Sequence, residues 1–198
     1  MKRFARENRF PGLKWGKRFG QALIEFAVVL PLLLFLVFML VEFARVFHAY
    51  LTVENSVRQG IRYAVTGQFE GEYCPEPDDR CETESDEQSA RLESIRQVVY
   101  SASKTVMRDD KANTHDPGYF KTTICVIDHE NRYIAPDPKD RMSSASCSGG
   151  DDPGDPGDIV SVTVDFNHPL VIPVLADAVP VLHLHSRREA IVEDFRTN

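Results

Sequence analysis

The chain has 198 residues, with 23 basic and 30 acidic side chains and a formal net charge of −7. The charge is divided unevenly: residues 1–20 hold seven Lys/Arg against Glu7 alone, whereas residues 43–198 hold 16 basic and 27 acidic groups. A main region with a net charge of −11 repels phosphates, which excludes nucleic acid as its partner and fits a chain oriented across a membrane.

The basic leader, residues 1–20, carries a net +6. From Ala22 to Val41 every residue is apolar except Glu25, and residues 21–42 contain no Lys or Arg. Twenty residues at about 1.5 Å each match the roughly 30 Å hydrocarbon core of a bilayer. A buried core helix would be shorter and less crowded with Leu, Val and Phe. A removable secretory signal needs small residues after its apolar stretch, and "VEFARVF" supplies Glu42 and bulky groups instead. The positive-inside rule keeps residues 1–20 in the cytoplasm and sends residues 43–198 across. The expectation is a single-pass protein of the cell membrane, with the lipid bilayer as one partner. Residues 43–198 suffice for one compact extracytoplasmic domain.

The transmembrane helix, residues 21–42, is expected to continue as a second segment over residues 43–66. Phe43, Val46, Tyr50, Val53, Val57, Gly60 and Ala64 recur at steps of three and four, one stripe of an amphipathic helix. Arg45, His48, Glu54, Arg58, Gln59 and Arg62 occupy the other faces, and Gly67 is the expected stop. A helix from Gln21 to Thr66 would measure roughly 69 Å. Pro31 removes the hydrogen bond to the Ala27 carbonyl and is expected to kink it. Glu42, at the outer lipid boundary, is placed to pair with Arg45 at i+3.

An acidic loop follows at residues 67–84, then a helix over residues 85–107 with Leu92, Ile95, Val98, Val99, Ala102 and Val106 on one side. Its acidic first turns suit the helix dipole. Residues 119–198 read as a sheet with loops. "KTTICVI" is a strand, "DHEN" a turn, and "RYIA" a segment that pairs back. Residues 136–158 form a long Pro/Gly/Ser/Asp loop. In "DIVSVTVDFNH", Val160, Val162, Val164 and Phe166 alternate with Ser161, Thr163 and Asp165. "VLHLHSRREAIVED" is its candidate partner strand, and the proline-bracketed "PLVIPVLADAVP" between them is a packed loop or short helix. A long helix first and a small antiparallel sheet later make an α+β fold.

Four cysteines, Cys74, Cys81, Cys125 and Cys147, all fall in the exported part, where an oxidising compartment favours two disulfides. Three connectivities are open; the sequence-local pairs Cys74–Cys81 and Cys125–Cys147 close the shortest loops and are preferred. The spacings C-x6-C and C-x21-C lack the tight gap of zinc sites. His183 and His185 share a strand face and could seed a metal site with a nearby acid, but a solvated strand face is the ordinary reading. "DDPGDPGD" lacks the spacing of an EF-hand. No metal or cofactor is expected. No nucleophile elbow, phosphate-binding loop or zinc-protease motif occurs, so an enzyme is not expected.

Glu25 needs an explanation. An ionised acid at mid-bilayer costs about 2.5–3.5 kcal/mol on the insertion scale. One turn from Gln21 it can snorkel towards the interface, and an ordinary interfacial carboxylate is the plain reading. The sharper one gives it a cationic partner, and the only cation the segment could supply is a new α-amino group made by cutting before Gln21.

A basic leader ending "KRFG", then Gln21, then Glu25 at the fifth position of an apolar helix, resembles the class III signal of type IV pilin-like proteins. "GQALIEFAVVLPLLL…VEFARVFHAYLTVENSVRQGIRYAV" resembles in particular the TadE-like minor pseudopilins of the tight-adherence (Flp) pilus system. The matching features are Glu25-Phe26, Pro31, Glu42-Phe43, Tyr50 and Arg58-x-Gly60-x-Arg62. The resemblance covers residues 16–66 and implies cleavage between Gly20 and Gln21 by a prepilin peptidase, with Glu25 meeting an N-terminal ammonium during assembly. It implies pilin-like subunits and the pilus assembly platform as further partners. Read without the family, Arg58 and Arg62 lie one turn apart and Gly60 permits close approach of another backbone. With Tyr50 they form a candidate partner-packing surface, against the alternative of a solvated face. The expected function is structural: a pseudopilin in a Tad-type pilus or secretion apparatus. The alternative is a single-pass sensor or adhesin that binds a ligand through its exported domain.

Overall fold

The computed structural model describes residues 16–74, 81–128, 132–140, 142–172, 176, 179 and 181–193. Most of the basic leader, part of the acidic loop, most of the "DHEN" turn and half of the proline-bracketed segment lie outside the described residues. The elements are α1 (Gly16–Ala64), α2 (Glu84–Ala102), β1 (Phe120–Val126), β2 (Tyr133–Ile134), β3 (Ser146–Cys147), β4 (Ile159–Pro169) and β5 (Val181–Ile191). A long apolar helix, a second helix and small antiparallel sheets make the α+β class expected from the sequence. The chain divides into two units, Met1–Val41 and Glu42–Asn198.

The described part of the first unit is helix. Every large apolar side chain from Leu23 to Val41 is exposed, and none of the apolar window is buried. Pro31 lies inside the helix, which is assigned without a break on either side of it.

In the second unit α1 becomes one-sided. Ala49, Val53, Val57, Ile61 and Ala64 are buried, and Ser56 and Gly60 lie on the same side. The expected stripe holds at Val53, Val57, Gly60 and Ala64, which are buried, and fails at its start: Phe43 and Tyr50 are 69% and 47% exposed. The reason is close packing. A Cβ at Gly60 would lie 2.4 Å from Val99 Cγ2 on α2 and 3.3 Å from Val162 Cγ1 on β4. That inner side takes small residues, and the aromatics turn outward. The helix ends where Gly67, at φ 61°, supplies the left-handed conformation expected of it. The Glu193 amide then donates to the Val65 carbonyl at 2.9 Å, tying the end of β5 to the end of α1.

Helix α2 starts with a capping box. The Thr83 hydroxyl accepts from the Asp86 amide while the Asp86 carboxylate accepts from the Thr83 amide. It stops at Ala102, five residues before the expected end. Arg108 takes over the terminal acceptors: its Nη1 donates to the Tyr100 carbonyl at 2.8 Å and to Ser103 Oγ at 2.7 Å, with its guanidinium 3.5 Å from the Tyr100 ring centre. Val106 is still buried, delivered by a turn rather than by helix.

The main sheet runs β1-β4-β5, all antiparallel. Val160, Val162, Val164 and Phe166 face α1 and α2 with Ile124, Leu184, Ile95, Val99, Val53 and Val57, and these form the core. The alternation along β4 is therefore real, but its polar side is not solvated: Ser161, Thr163, Asp165 and Asn167 are all fully buried. What covers them is the segment read as a long loop. Lys121 Nζ and Thr123 Oγ1 donate to the Ala145 carbonyl, the Ala145 amide donates to Asp165 Oδ2, and Cys125 bonds to Cys147. "RYIA" does not pair back on β1. It contributes β2, which pairs with β3, Tyr133 opposite Cys147, because the Cys125–Cys147 bridge holds β3 over the sheet face and offers β2 an open edge there. The second disulfide is Cys74–Cys81, so both bridges follow the sequence-local pairing.

Candidate functional site

The expected cleavage point lies within α1. Gly20 is helical and its missing Cβ would meet nothing within 4 Å. Gln21 Nε2 donates to Glu25 Oε1 at 3.1 Å, one turn away. Position 21 is thus within reach of the Glu25 carboxylate, and both side chains are exposed.

The candidate partner-packing residues separate into two groups. Gly60 is buried inside its own domain, where the close approach expected of it is made by Val99 and Val162 of the same chain. This corrects its assignment to a partner surface: the closely approaching neighbour is internal. Tyr50, Arg58 and Arg62 are on the outside. Tyr50 shares that outside with Phe43, Phe47 and Leu51, all about half exposed or more. Phe43 and Phe47 stack with ring centres 6.4 Å apart. Four large apolar side chains at helical spacing therefore remain uncovered on α1 of the second unit.

Two acids of α1 anchor it to the domain. Glu42, 5% exposed, accepts from Arg45 Nη1 at 3.0 and 3.1 Å, as its i+3 spacing predicts. It also accepts from the Val171 amide at 3.3 Å, a long-range contact that spacing alone does not reveal. His168 is buried beside this pair, with neither ring nitrogen hydrogen-bonded. Burial, followed by the charge of Arg45, holds its pKa below the ordinary histidine range. Glu54, read from sequence as one of several polar-face residues, is a junction. It accepts from Ser186 and Arg188 of β5 and from Arg58 on its own helix at 3.1 Å. Hydrogen bonds from Ser186 and then Arg188 lower its carboxyl pKa from 4.5 to about 2. Arg58 is thereby partly engaged inside the chain.

The third arrangement lies on the covered polar face. Asp165 on β4 and His185 on β5 are opposite residues, as are Asn167 and His183. His185 Nδ1 is 2.7 Å and His183 Nε2 is 3.2 Å from Asp165 Oδ1. The expected solvated strand face holds in part at His185 and not at His183: their side chains are 31% and 13% exposed, around a carboxylate that is fully buried. The sequence carried half of this signal, since H-x-H and D-x-N each place two polar groups on one strand face. The pairing register that joins the two faces was not in it. In 151–158 the carboxylates serve elsewhere: Asp151 pairs with Arg96, Asp152 accepts from the Gly154 amide and Asp158 from the Asp155 amide.

No curated protein and no solved structure matches the chain. Residues 20–62 match the protein-family model described as "TadE-like protein". The match begins at Gly20 and ends at Arg62, the interval of α1 that carries Glu25, Pro31, Glu42 and the outward aromatics. Over residues 20–62 the chain is therefore similar to the TadE-like family.

Proposed function

We propose that this protein is a membrane-anchored pseudopilin that assembles with other pilin-like subunits after a prepilin peptidase removes residues 1–20. The observation that carries the reading is the exposed apolar helix holding a single carboxylate. Residues 23–41 expose every large apolar side chain, which only lipid or other apolar helices can cover, and Glu25 sits among them with Gln21 as its neighbour. Cleavage between Gly20 and Gln21 turns the Gln21 nitrogen into an ammonium one helical turn from Glu25. An ion pair there offsets the cost of a carboxylate in lipid, whether it forms within one chain or between two.

The peptidase must open the helix at the scissile bond. Glycine is about 1 kcal/mol less favourable than alanine in a helix, so Gly20 marks the least costly place to do so. Pro31 leaves the Ala27 carbonyl without its helical donor and gives the span a bending point. The uncovered side of α1 with Tyr50, Phe43 and Phe47, flanked by Arg62, is the surface on which neighbouring subunits pack. Residues 1–20 are cytoplasmic, residues 43–198 extracytoplasmic, and the mechanism is interaction rather than catalysis.

The deciding measurement is the N-terminus of protein extracted from membranes with and without the peptidase. With it, the chain should begin at Gln21 and be about 2.5 kDa lighter, from the usual mass per residue. Recovery of chains beginning at Met1 in both cases would refute the processing step. Replacing the helix by an unrelated anchor separates this reading from a ligand-binding sensor, which would keep its activity.

A further inference from the structure

We infer that Asp165, His183 and His185 form a binding site for one divalent transition-metal ion of the zinc class, built across β4 and β5 of the exported domain. Among the described residues these three place one ligand atom each within 4.8 Å of one another. They combine two imidazoles with one carboxylate, a donor set suited to zinc and its neighbours rather than to calcium or magnesium.

The hydrogen bonds fix which atoms are available. Asn167 Nδ2 donates to the carbonyls of Thr114 at 2.8 Å and Asp116 at 3.2 Å, so Asn167 Oδ1 is an acceptor. His183 Nδ1, 2.8 Å from that oxygen, must therefore carry a hydrogen. A neutral His183 then presents an Nε2 lone pair, and Nε2 is buried with no hydrogen-bond partner. It lies 3.2 Å from Asp165 Oδ1, off the line of a hydrogen bond. A lone pair facing a carboxylate oxygen is repulsive unless something positive lies between them. Asp165 Oδ2 is already occupied by the Ala145 amide at 2.8 Å, which leaves Oδ1 for a single ligand bond. His185 offers Nδ1 when its one hydrogen sits on Nε2, and Nε2 is 3.1 Å from the Tyr133 hydroxyl, which can accept it.

Each ligand thus has the outer partner that metal-bound groups require: Asn167 for His183, Ala145 for Asp165 and Tyr133 for His185. Bond lengths of about 2.0–2.1 Å at tetrahedral angles put ligand atoms about 3.3 Å apart; the two histidine–carboxylate separations are 2.7 and 3.2 Å, and all three separations lie within 4.8 Å, so side-chain adjustment closes the site around an ion. The three ligands leave one position for water, on the side where His185 meets solvent. All four cysteines are in disulfides, so thiolates do not compete. Loading requires the hydrogen between His185 Nδ1 and Asp165 Oδ1 to move to His185 Nε2, beside the Tyr133 hydroxyl, which frees Nδ1 for the ion.

The test uses full-length, oxidised, tag-free protein in detergent, stripped with EDTA and titrated with zinc chloride at pH 7.5. One zinc per chain should bind, and the unfolding temperature should rise. X-ray absorption of the loaded protein should show two imidazole nitrogens with oxygen in the first shell. His183→Gln and His185→Gln, checked for native circular dichroism, should each weaken binding about 100-fold, and Asn167→Ala about 10-fold. Absence of stoichiometric binding overturns the inference, as does a first shell without histidine. So does imidazole 15N NMR showing His183 doubly protonated in the presence of excess zinc.

Discussion

Two stretches of the one helix α1 meet opposite fates. From Leu23 to Val41 the large apolar side chains are exposed in every direction; from Ala49 to Ala64 a narrow side of Ala, Val, Ile and Gly is buried while the other faces carry charge or aromatic rings. The difference lies both in amount, 17 apolar residues of 19 against 8 of 16, and in angular distribution. A helix apolar all round calls for an apolar solvent, and a helix apolar on one side calls for a protein core. Phe43, Phe47, Tyr50 and Leu51 belong to neither class, being an apolar strip outside the buried side.

The largest effect expected from this contrast comes from removing a buried ring. Phe166→Ala should lower the stability of the exported domain by about 3–5 kcal/mol, since Phe166 is fully buried. Phe35→Ala, at a 45% exposed position, should leave it within about 0.5 kcal/mol. Hydrogen exchange of β4 amides in detergent reads both, and equal losses would erase the distinction between the two stretches. Next, Leu33→Arg should cost about 2.5–3.5 kcal/mol of membrane insertion, measured by glycosylation-tag reporters. The same charge at Asn55, exposed on the second stretch, should not change insertion.

Gly60→Ala tests the inner side of α1. The new Cβ would fall 2.4 Å from Val99 Cγ2, and overpacking of this kind costs about 1–3 kcal/mol. A chain whose unfolding midpoint is unmoved would mean that α1 and α2 are not so closely packed. The smallest effect is electrostatic. The carboxyl pKa of Glu54 is lower when folded, about 2 against 4.5, so its contribution is complete above pH 4.5 and drains away as pH falls towards 2. Glu54→Gln should flatten acid destabilisation across that window in a pH series of denaturant melts. An unchanged slope would show that Ser186 and Arg188 do not hold the ionised form.

Much of the fold is legible locally. Twenty apolar residues, the acidic first turns of α2, Gly67 after Ala64 and the Val160–Phe166 alternation each speak through spacing of a few residues. The long helix, the second helix and the strands β1, β4 and β5 were accessible for that reason. The misplaced details have non-local causes. The end of α2 is set by Arg108 reaching back to Tyr100, and the place of β2 by β3, which the Cys125–Cys147 bridge holds over the sheet. The outward turn of Phe43 and Tyr50, at the start of an otherwise correct α1 stripe, follows from which side must approach Val99 and Val162.

The order of residues by itself determined a basic leader, a lipid-compatible helix with one acid, and an acidic domain rich in disulfide-forming cysteines, because charge, hydropathy and capping act over one or two turns. Only the tertiary structure decided that Gly60 faces inward, that Glu54 joins α1 to β5, and that Asp165 meets His183 and His185. Those contacts depend on strand register and on what a long loop covers, and both are settled by packing between segments far apart in the chain.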